Sequence, residues 1–355
     1  MVAMKATFNG RLNRLITKGG ETGMKVKMVF SIIAVISVAL SLSPGIVFAA
    51  SSGQSSGSFQ CGNVAPTVGT ITTSFTTTMT PGVEYTITVP VTDANTLNDL
   101  DTVKVYIYYD ADGTYNTSDR PGSGNTQTCA ILTWANPSTW SIDPTGGGTT
   151  WAKVDGNSSS PSLSGSSGNF VFSFKPGLVA KETPGAPEWH IYAVADDGLA
   201  TGSNYKEDME MAWYGQITVT TPNVNWGSVN PGLNFGDSGS KNGSISMTYI
   251  TNGNYYENIS ATSSWTGSPS GTATLNVAGT PGANEFSLEA DDADIIGNAV
   301  LVKASPTYAT MDNTGTFTFE SGDTVATNSI WLKLGTPFTS ATYNGTIYFQ
   351  IGQRS

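Results

Sequence analysis

Apolar and polar residues alternate along most of the chain after residue 64, in short runs separated by turn residues. In residues 103–108 (VKVYIY), positions 103, 105 and 107 fall on one face of a strand, and positions 104, 106 and 108 on the other. Phe170, Phe172 and Phe174 alternate in the same way. Turn residues containing Gly or Pro, such as residues 81–82, separate the runs. The pattern predicts an all-β protein built of short antiparallel strands.

The predicted strands fall into two groups, which we interpret as two tandem antiparallel β-sandwich domains. Residues 64–220 hold about seven or eight short strands, a number and spacing typical of a sandwich. A short linker, residues 221–223, precedes a second β-sandwich at residues 224–355, in which residues 224–229 form the first predicted strand. No internal repeat relates the two groups, so they are two different modules.

Three stretches of the first group carry a family resemblance. They are Pro66-Thr67-Val68, residues 80–89 (TPGVEYTITV) and residues 189–198 (WHIYAVADDG). They resemble the opening, second and penultimate strands of immunoglobulin-like (Ig-like) modules of the cadherin and PKD kind, which occur in tandem in prokaryotic secreted surface or fibre proteins. The acidic interdomain signatures of cadherins are not all present. The resemblance covers residues 64–220 and implies an adhesive or scaffolding module. It does not identify the binding partner of this module.

The N-terminal 49 residues have the features of a targeting segment. Lys25 and Lys27 precede an apolar run at residues 28–39, and small residues surround Ala49. The run is shorter than the roughly 20 residues that cross a bilayer. We therefore predict a mis-assigned start codon followed by a secretory signal peptide (residues 1–49), with an uncleaved anchor as the alternative. Residues 50–63 are a flexible Gly/Ser-rich leader, and the mature chain is extracellular, secreted or at the cell surface, without a membrane span.

Composition and charge narrow the function classes. Only 12% of the residues are charged and 40 are Gly, which argues against helices. Removal of residues 1–49 takes away six of 16 Lys and Arg and one of 27 Asp and Glu, leaving 10 basic and 26 acidic residues and a net charge of −16. Such a surface repels nucleic acid and anionic lipid and favours divalent cations. With one His and two Cys, a zinc site built of paired His or four Cys is excluded.

Calcium is the cofactor that the acidic loops suggest. One loop carries Asp110, Asp112 and Asp119 around Gly113, with spacing that departs from the EF-hand. In a sandwich, two further loops meet at one end, and they carry the acidic residues Asp93, Asp99, Asp101, Asp196 and Asp197. Like charges brought together need a cation or protonation. The alternative in both places is a hydrated acidic turn.

Secretion also bears on the cysteines and on glycosylation. Cys61 and Cys129 are expected to form a disulfide, because lone cysteines in an oxidising compartment usually pair. A reactive or intermolecular thiol is the alternative. Five Asn-x-Ser/Thr sequons lie in or beside predicted turns or strand ends, and they become glycosylated only if the host has the machinery. They are Asn116, Asn157, Asn242, Asn258 and Asn344.

The sequence places no catalytic residues, and we expect no enzymatic activity. His190 lies between Trp189 and Ile191 in a predicted strand and is interpreted as structural. The first hypothesis is a surface protein that self-associates, or binds other surface proteins, as a subunit of a filament, surface layer or adhesive coat, with β-strand addition as its means of assembly. The alternative is a secreted carbohydrate-binding protein, and an extracellular hydrolase ranks third. In the alternative, exposed indoles stack on glycans, the candidates being Trp134, Trp140, Trp151, Trp213, Trp226, Trp265 and Trp331.

Overall fold

A computed structural model describes residues 56–146, 148–221, 223–240, 245–311, 317–318 and 324–354. The chain divides into two compact units, Met1–Cys61 and Gly62–Ser355. The predicted signal peptide and the first residues of the leader lie outside the described residues. Within the described ranges, no helix has the length and apolar character needed to cross a membrane.

The described residues are mostly strands and turns, which confirms the predicted all-β class. Helical structure in these residues is limited to two 3₁₀ turns, Leu97–Asp99 and Asp155–Asn157. The first twelve strands are β1 (Thr67–Val68), β2 (Thr72–Thr73), β3 (Thr78–Met79), β4 (Tyr85–Thr92), β5 (Thr102–Tyr109), β6 (Cys129–Ala135), β7 (Thr139–Asp143), β8 (Ala152–Lys153), β9 (Ser167–Lys175), β10 (Trp189–Asp196), β11 (Thr201–Met211) and β12 (Gly215–Val219).

Eleven of these strands form two sheets that enclose a first hydrophobic core. One sheet has the order β1-β4-β9-β8, with β2 also on β4, and the other has the order β3-β11-β10-β5-β6-β7. The predicted faces of β5 are confirmed, because Val103, Val105 and Ile107 are fully buried in this core. Trp134 of β6 meets Phe170 of β9 across it, with ring centroids 4.7 Å apart. Full burial of each such side chain stabilises the fold by roughly 1.5–3 kcal/mol.

Twelve further strands, together with β12, build a second pair of sheets. They are β13 (Ile245–Thr251), β14 (Asn254–Ala261), β15 (Ser264–Ser268), β16 (Thr272–Leu275), β17 (Glu285–Asp291), β18 (Val300–Leu301), β19 (Lys303–Ala304), β20 (Ala309–Thr310), β21 (Phe317–Thr318), β22 (Thr324–Leu334), β23 (Thr342–Asn344) and β24 (Ile347–Gln353). The larger sheet has the order β12-β13-β22-β17-β16-β15-β23, with β18 on β17. The smaller sheet is built around β14, which pairs with β19, β20, β21 and β24.

A second hydrophobic core lies between these sheets. Its residues include Met247 of β13, Ile259 of β14 and Ile330 of β22, all fully buried. Most pairings described in the chain are antiparallel, as predicted, and three short ones are parallel: β3 with β11, β14 with β19, and β16 with β17. The division between the two cores falls before residues 221–223, because Trp213 and Ile217 already pack against the second core and β12 belongs to the larger sheet of the second pair. The predicted domain boundaries stay a prediction.

One buried side chain joins the two groups of strands. Asn252, in the turn between β13 and β14, is fully buried, and its amide nitrogen donates to the carbonyl oxygens of Ala180 and Ala212 at 2.8 Å each. Its side-chain oxygen accepts from the Tyr214 backbone N–H at 2.6 Å, and its backbone carbonyl accepts from the Glu182 N–H at 3.1 Å. The junction is therefore fixed by specific hydrogen bonds as well as by packing.

Candidate functional sites

The structure brings part of the predicted acidic end together. The Asp101 N–H donates to the Asp196 carbonyl oxygen at 2.8 Å. A Cβ added at Gly198 would lie 2.6 Å from Asp101 Oδ2, so this carboxylate packs against the turn that follows Asp196. Asp197 caps that turn by accepting from the backbone N–H groups of Leu199 and Ala200. These hydrogen bonds lower the pKa of Asp197, with the largest effect coming from the Asn63 side-chain amide.

Two other predicted ligands at this end differ from one another. Asp93 is fully buried, its Oδ1 accepts from the Asn95 N–H at 2.8 Å, and its Oδ2 has no hydrogen-bond partner among the described residues. Asp99 is exposed in a 3₁₀ turn. The start of the folded part also lies here, because Asn63 donates to Asp197 and the Val64 N–H donates to Asn95. The acidic end, defined by Asp93, Asp101, Asp196 and Asp197, thus adjoins the leader.

The second acidic loop, which holds Asp110, Asp112 and Asp119, uses its carboxylates for its own turns. Asp110 Oδ1 accepts from the Asp112 N–H at 3.3 Å, and Asp112 Oδ1 accepts from the Thr114 N–H at 2.8 Å. Asp119 Oδ1 accepts from the Ser118 hydroxyl at 3.3 Å. Nowhere in the described ranges do three His, Cys, Asp or Glu side chains form a group that could hold a metal ion. Calcium binding at either place stays a prediction.

His190 lies on the side of β10 that faces away from the first core, next to Tyr108 of β5. The two residues are cross-strand partners, and their ring centroids are 5.6 Å apart. Both are fully buried, and neither the two imidazole nitrogens nor the Tyr108 hydroxyl has a hydrogen-bond partner in the described part of the chain. Burial lowers the pKa of His190 and raises the pKa of Tyr108. The imidazole is therefore neutral at pH 7.

An outer aromatic cluster covers this position. It consists of Tyr106, Tyr108, Tyr115, Cys129, Ile131, Tyr192 and Val194. Tyr115 comes from the acidic loop, and its ring lies 6.2 Å from His190 and stacks on Tyr205 at 3.8 Å. The Arg120 guanidinium lies 4.6 Å from the ring centroid of Tyr192. Sequence analysis missed this cluster, although the alternation at positions 104, 106 and 108 placed two of its tyrosines on one face.

The tryptophans proposed as a sugar platform are buried or partly buried, and the exposure expected of Trp134 and Trp151 is wrong. Trp134 and Trp151 are 0% and 2% exposed, and Trp265 and Trp331 are also buried. Trp140 packs against the first core, and two more pack against the second, Trp213 and Trp226. Bulky indoles therefore supply volume to both cores, and Trp140, Trp213 and Trp226 remain partly exposed.

The predicted disulfide is not seen. Cys129 is a fully buried thiol in β6, and burial raises its pKa to about 12. Such a thiol is a poor nucleophile, because the thiolate is the reactive form. Cys61 is exposed and belongs to the separate N-terminal unit. A bond between Cys61 and Cys129 stays a prediction.

The sequons lie in different environments. Asn116, Asn157 and Asn344 are exposed. Asn242 lies outside the described residues. Asn258 is within β14, is only 9% exposed, and accepts a hydrogen bond from the Thr310 hydroxyl at 2.9 Å. The expectation of a turn or strand end is wrong for Asn258, because the apolar run around it forms the middle of a paired strand.

A buried carboxyl group lies in the second core. Glu257 of β14 is 3% exposed and accepts from the Asn328 side-chain amide at 2.6 Å. Loss of hydration raises the pKa of Glu257 to about 7, against the opposing effect of the nearby Tyr249 hydroxyl and of the Asn328 amide, and the Asp292 carboxylate raises it further. Glu257 therefore titrates near neutral pH.

Two edge strands of the second group carry no charge. Among the described residues, β12 pairs only with β13, and β24 pairs only with β14. The residues of β12 (GQITV) and β24 (IYFQIGQ) include no Asp, Glu, Lys, Arg or Pro. Val219 and Tyr348 are both 39% exposed. Natural proteins usually protect such edges with charges or proline. The two edges also lie close to each other, because a Cβ added at Gly215 of β12 would lie 3.0 Å from Ile351 Cδ1 of β24.

Comparisons with known proteins identify no family. No protein-family model matches the chain, and no curated protein matches it. Among solved structures, the 35 kDa C-terminal fragment of the major pilin GBS80 of Streptococcus agalactiae is 11% identical, with 79% of this chain and 85% of that chain covered and a TM-score of 0.19. A TM-score this low carries no argument about this chain.

Proposed function

We propose that the chain is a non-enzymatic, secreted structural protein of the cell surface, a subunit of an extracellular filament, surface layer or adhesive coat. Its sandwiches serve as Ig-like modules of the kind that the sequence resembles. Subunits join by β-strand addition, in which an extended segment of one copy pairs with a strand edge of the next. The leader, residues 50–63, is the donor segment.

The uncharged edge of β24 is the observation that supports this proposal most directly. β24 has seven residues, longer than the five of β12, and among the described strands it pairs with β14 alone. Exposed, β-prone edges without charges are templates for a further strand. Residues 56–65 are exposed and form no strand, which suits a donor.

Negative-stain electron microscopy of the secreted mature protein tests assembly. Wild-type protein should form long filaments or sheets. Tyr348→Lys combined with Gln350→Lys should abolish them without lowering the melting temperature, because both side chains are exposed on β24 and the charges oppose edge pairing. Thr266→Lys is the matched control, since Thr266 is exposed on β15, which is paired on both sides.

Deletion of residues 51–63 tests the donor. The deletion must stop there, because Val68, Ile71 and Phe75 belong to the first core. Loss of filaments with an unchanged melting temperature supports the leader as donor. Filaments that persist in the double lysine variant exclude β24 as the acceptor. Dispersed wild-type particles that are retained on polysaccharide favour the carbohydrate-binding alternative.

We also propose calcium as a ligand of the acidic end. Asp93 is buried with one unpartnered oxygen, and Asp101 and Asp196 lie side by side. Because Asn63 and Val64 are hydrogen-bonded at the same end, a bound cation would strengthen the attachment of these two residues to the first pair of sheets.

A further inference from the structure

Four buried polar atoms without a partner in the described ranges belong to three neighbouring residues. They are Nδ1 and Nε2 of His190, the hydroxyl of Tyr108 and Oδ2 of Asp110. His190 and Tyr108 are 0% exposed. Buried polar atoms are nearly always hydrogen-bonded, so a group of four unpartnered atoms points to something that binds between them.

Strand register brings Asp110 to the same place. Tyr108 pairs with His190, and two residues further on the Asp110 N–H donates to the Glu188 carbonyl oxygen at 2.7 Å. Asp110 therefore extends the ladder by two residues on the face that carries Tyr108, diagonal to His190. Of the carboxylates that raise the pKa of His190, Asp110 has the largest effect, which agrees with this placement.

The charge around His190 favours a cation. Glu207 and Asp208 lie in β11 beside the irregularity opposite His190, and Asp112 follows Asp110 in the loop. All of them act on His190 in the direction that favours positive charge. The nearby Arg120 guanidinium is held over the rings of Tyr106 and Tyr192. An anion would be repelled here.

The donor atoms favour one class of cation. An imidazole nitrogen, a carboxylate oxygen and a phenol oxygen form a mixed nitrogen and oxygen set, which suits divalent transition metals better than calcium or magnesium. We propose that His190, Asp110 and Tyr108 form a buried site for one divalent transition-metal ion of the zinc class, with water completing its coordination. The ion would tie the loop that carries Tyr115 to the sheet beneath it.

Metal titration of the full-length chain, purified without a histidine tag, tests the proposal. Co²⁺ gives visible absorption that reports its ligands, and Zn²⁺ binding is measured by calorimetry. We expect one Zn²⁺ per chain, a higher melting temperature, and a shift of the imidazole NMR signals, which arise from a single residue because the chain has one His. His190→Gln should weaken Zn²⁺ binding by at least about tenfold.

Further variants separate metal binding from folding. Tyr108→Phe and Asp110→Asn keep the size of each side chain and should each weaken Zn²⁺ binding, and they decide the outcome if His190→Gln does not fold. Asp99→Asn is the control, because Asp99 is an exposed carboxylate that is not among the groups acting on the pKa of His190 or of Tyr108. It should leave Zn²⁺ binding unchanged.

Two results would overturn the proposal. One is wild-type protein that binds neither Co²⁺ nor Zn²⁺ at millimolar concentration, which would mean that ordered water satisfies the four atoms. The other is Zn²⁺ affinity that stays unchanged in folded His190→Gln, Tyr108→Phe and Asp110→Asn.

Discussion

Glu257 shows how one side chain links the stability of this protein to pH. Its carboxyl group is buried with the Asn328 amide in the second core, where the charged form loses its hydration. The pKa is 4.5 in an ordinary setting and about 7 in the folded protein, so the folded state binds the proton more tightly. Between these two values the folded state holds more protons than the unfolded state, and stability falls as pH rises.

We therefore predict that the free energy of unfolding decreases by about 3 kcal/mol between pH 4.5 and pH 8 through this residue. Glu257→Gln should remove this part of the pH dependence, because the amide stays neutral. Urea unfolding at several pH values measures the free energy of unfolding of the wild type and of the Glu257→Gln variant. Asp155→Asn changes an exposed carboxyl group and serves as the control. A Glu257→Gln profile that matches wild type would show that Glu257 does not carry the effect.

Among the elements, the turn between β13 and β14 joins the two groups of strands through the hydrogen bonds of Asn252. Asn252→Ala leaves the buried Ala180 carbonyl oxygen without this donor. We expect the free energy of unfolding to fall by about 2–3 kcal/mol. We also expect faster hydrogen exchange at the Glu182 N–H, which donates to the backbone carbonyl oxygen of Asn252. Asn344→Ala, at an exposed strand end, should change stability by less than about 0.5 kcal/mol. Equal exchange in wild type and Asn252→Ala would contradict the prediction.

Strands with strong alternation were predictable, and changes of sheet were not. The alternation predicts strands at residues 84–92, 102–110 and 189–195, and β4, β5 and β10 begin and end within a residue of these bounds. The pattern also predicts one strand at residues 209–220, but the structure has β11 ending at Met211 and β12 beginning at Gly215 in another sheet. Apolar residues continue across the break, since Trp213 packs against the second core, so periodicity alone does not reveal it.

Two further differences have local causes. Residues 224–229 form no strand. Instead, the Trp226 indole donates to the Ile330 carbonyl oxygen at 3.1 Å, so a side chain anchors this segment. The predicted strands do not include β7, a five-residue strand that Pro137 and Pro144 flank.

The candidate site was predictable only in part. Asp110 and its loop were visible in the sequence as an acidic turn. Its place beside His190 was not, because strand register sets it and no local pattern encodes that register.

Across the whole molecule, the net charge of −11 attracts cations. We predict that millimolar calcium raises the melting temperature relative to chelator, because binding to the folded state alone stabilises it. Asp101→Asn should reduce the rise, since Asp101 lies against the Asp196–Gly198 turn. Calorimetry in calcium, in magnesium and in chelator measures the melting temperature of the wild type and of the variant.

Asp155→Asn is again a suitable control, because it removes one exposed negative charge far along the sequence from the acidic end. A melting curve that is the same in chelator and in calcium would exclude a calcium site. An equal rise with magnesium would indicate general screening of charge.

The hydrogen bonds of Asn252 also have a mechanical consequence. In a fibre of these subunits, a junction held at several points transmits bending without acting as a hinge within each subunit. Flexibility would then reside at the contacts between subunits, where a donated strand meets β24. The persistence length of such a fibre would depend on that contact, and weakening Asn252 would add a second bending point in every repeat.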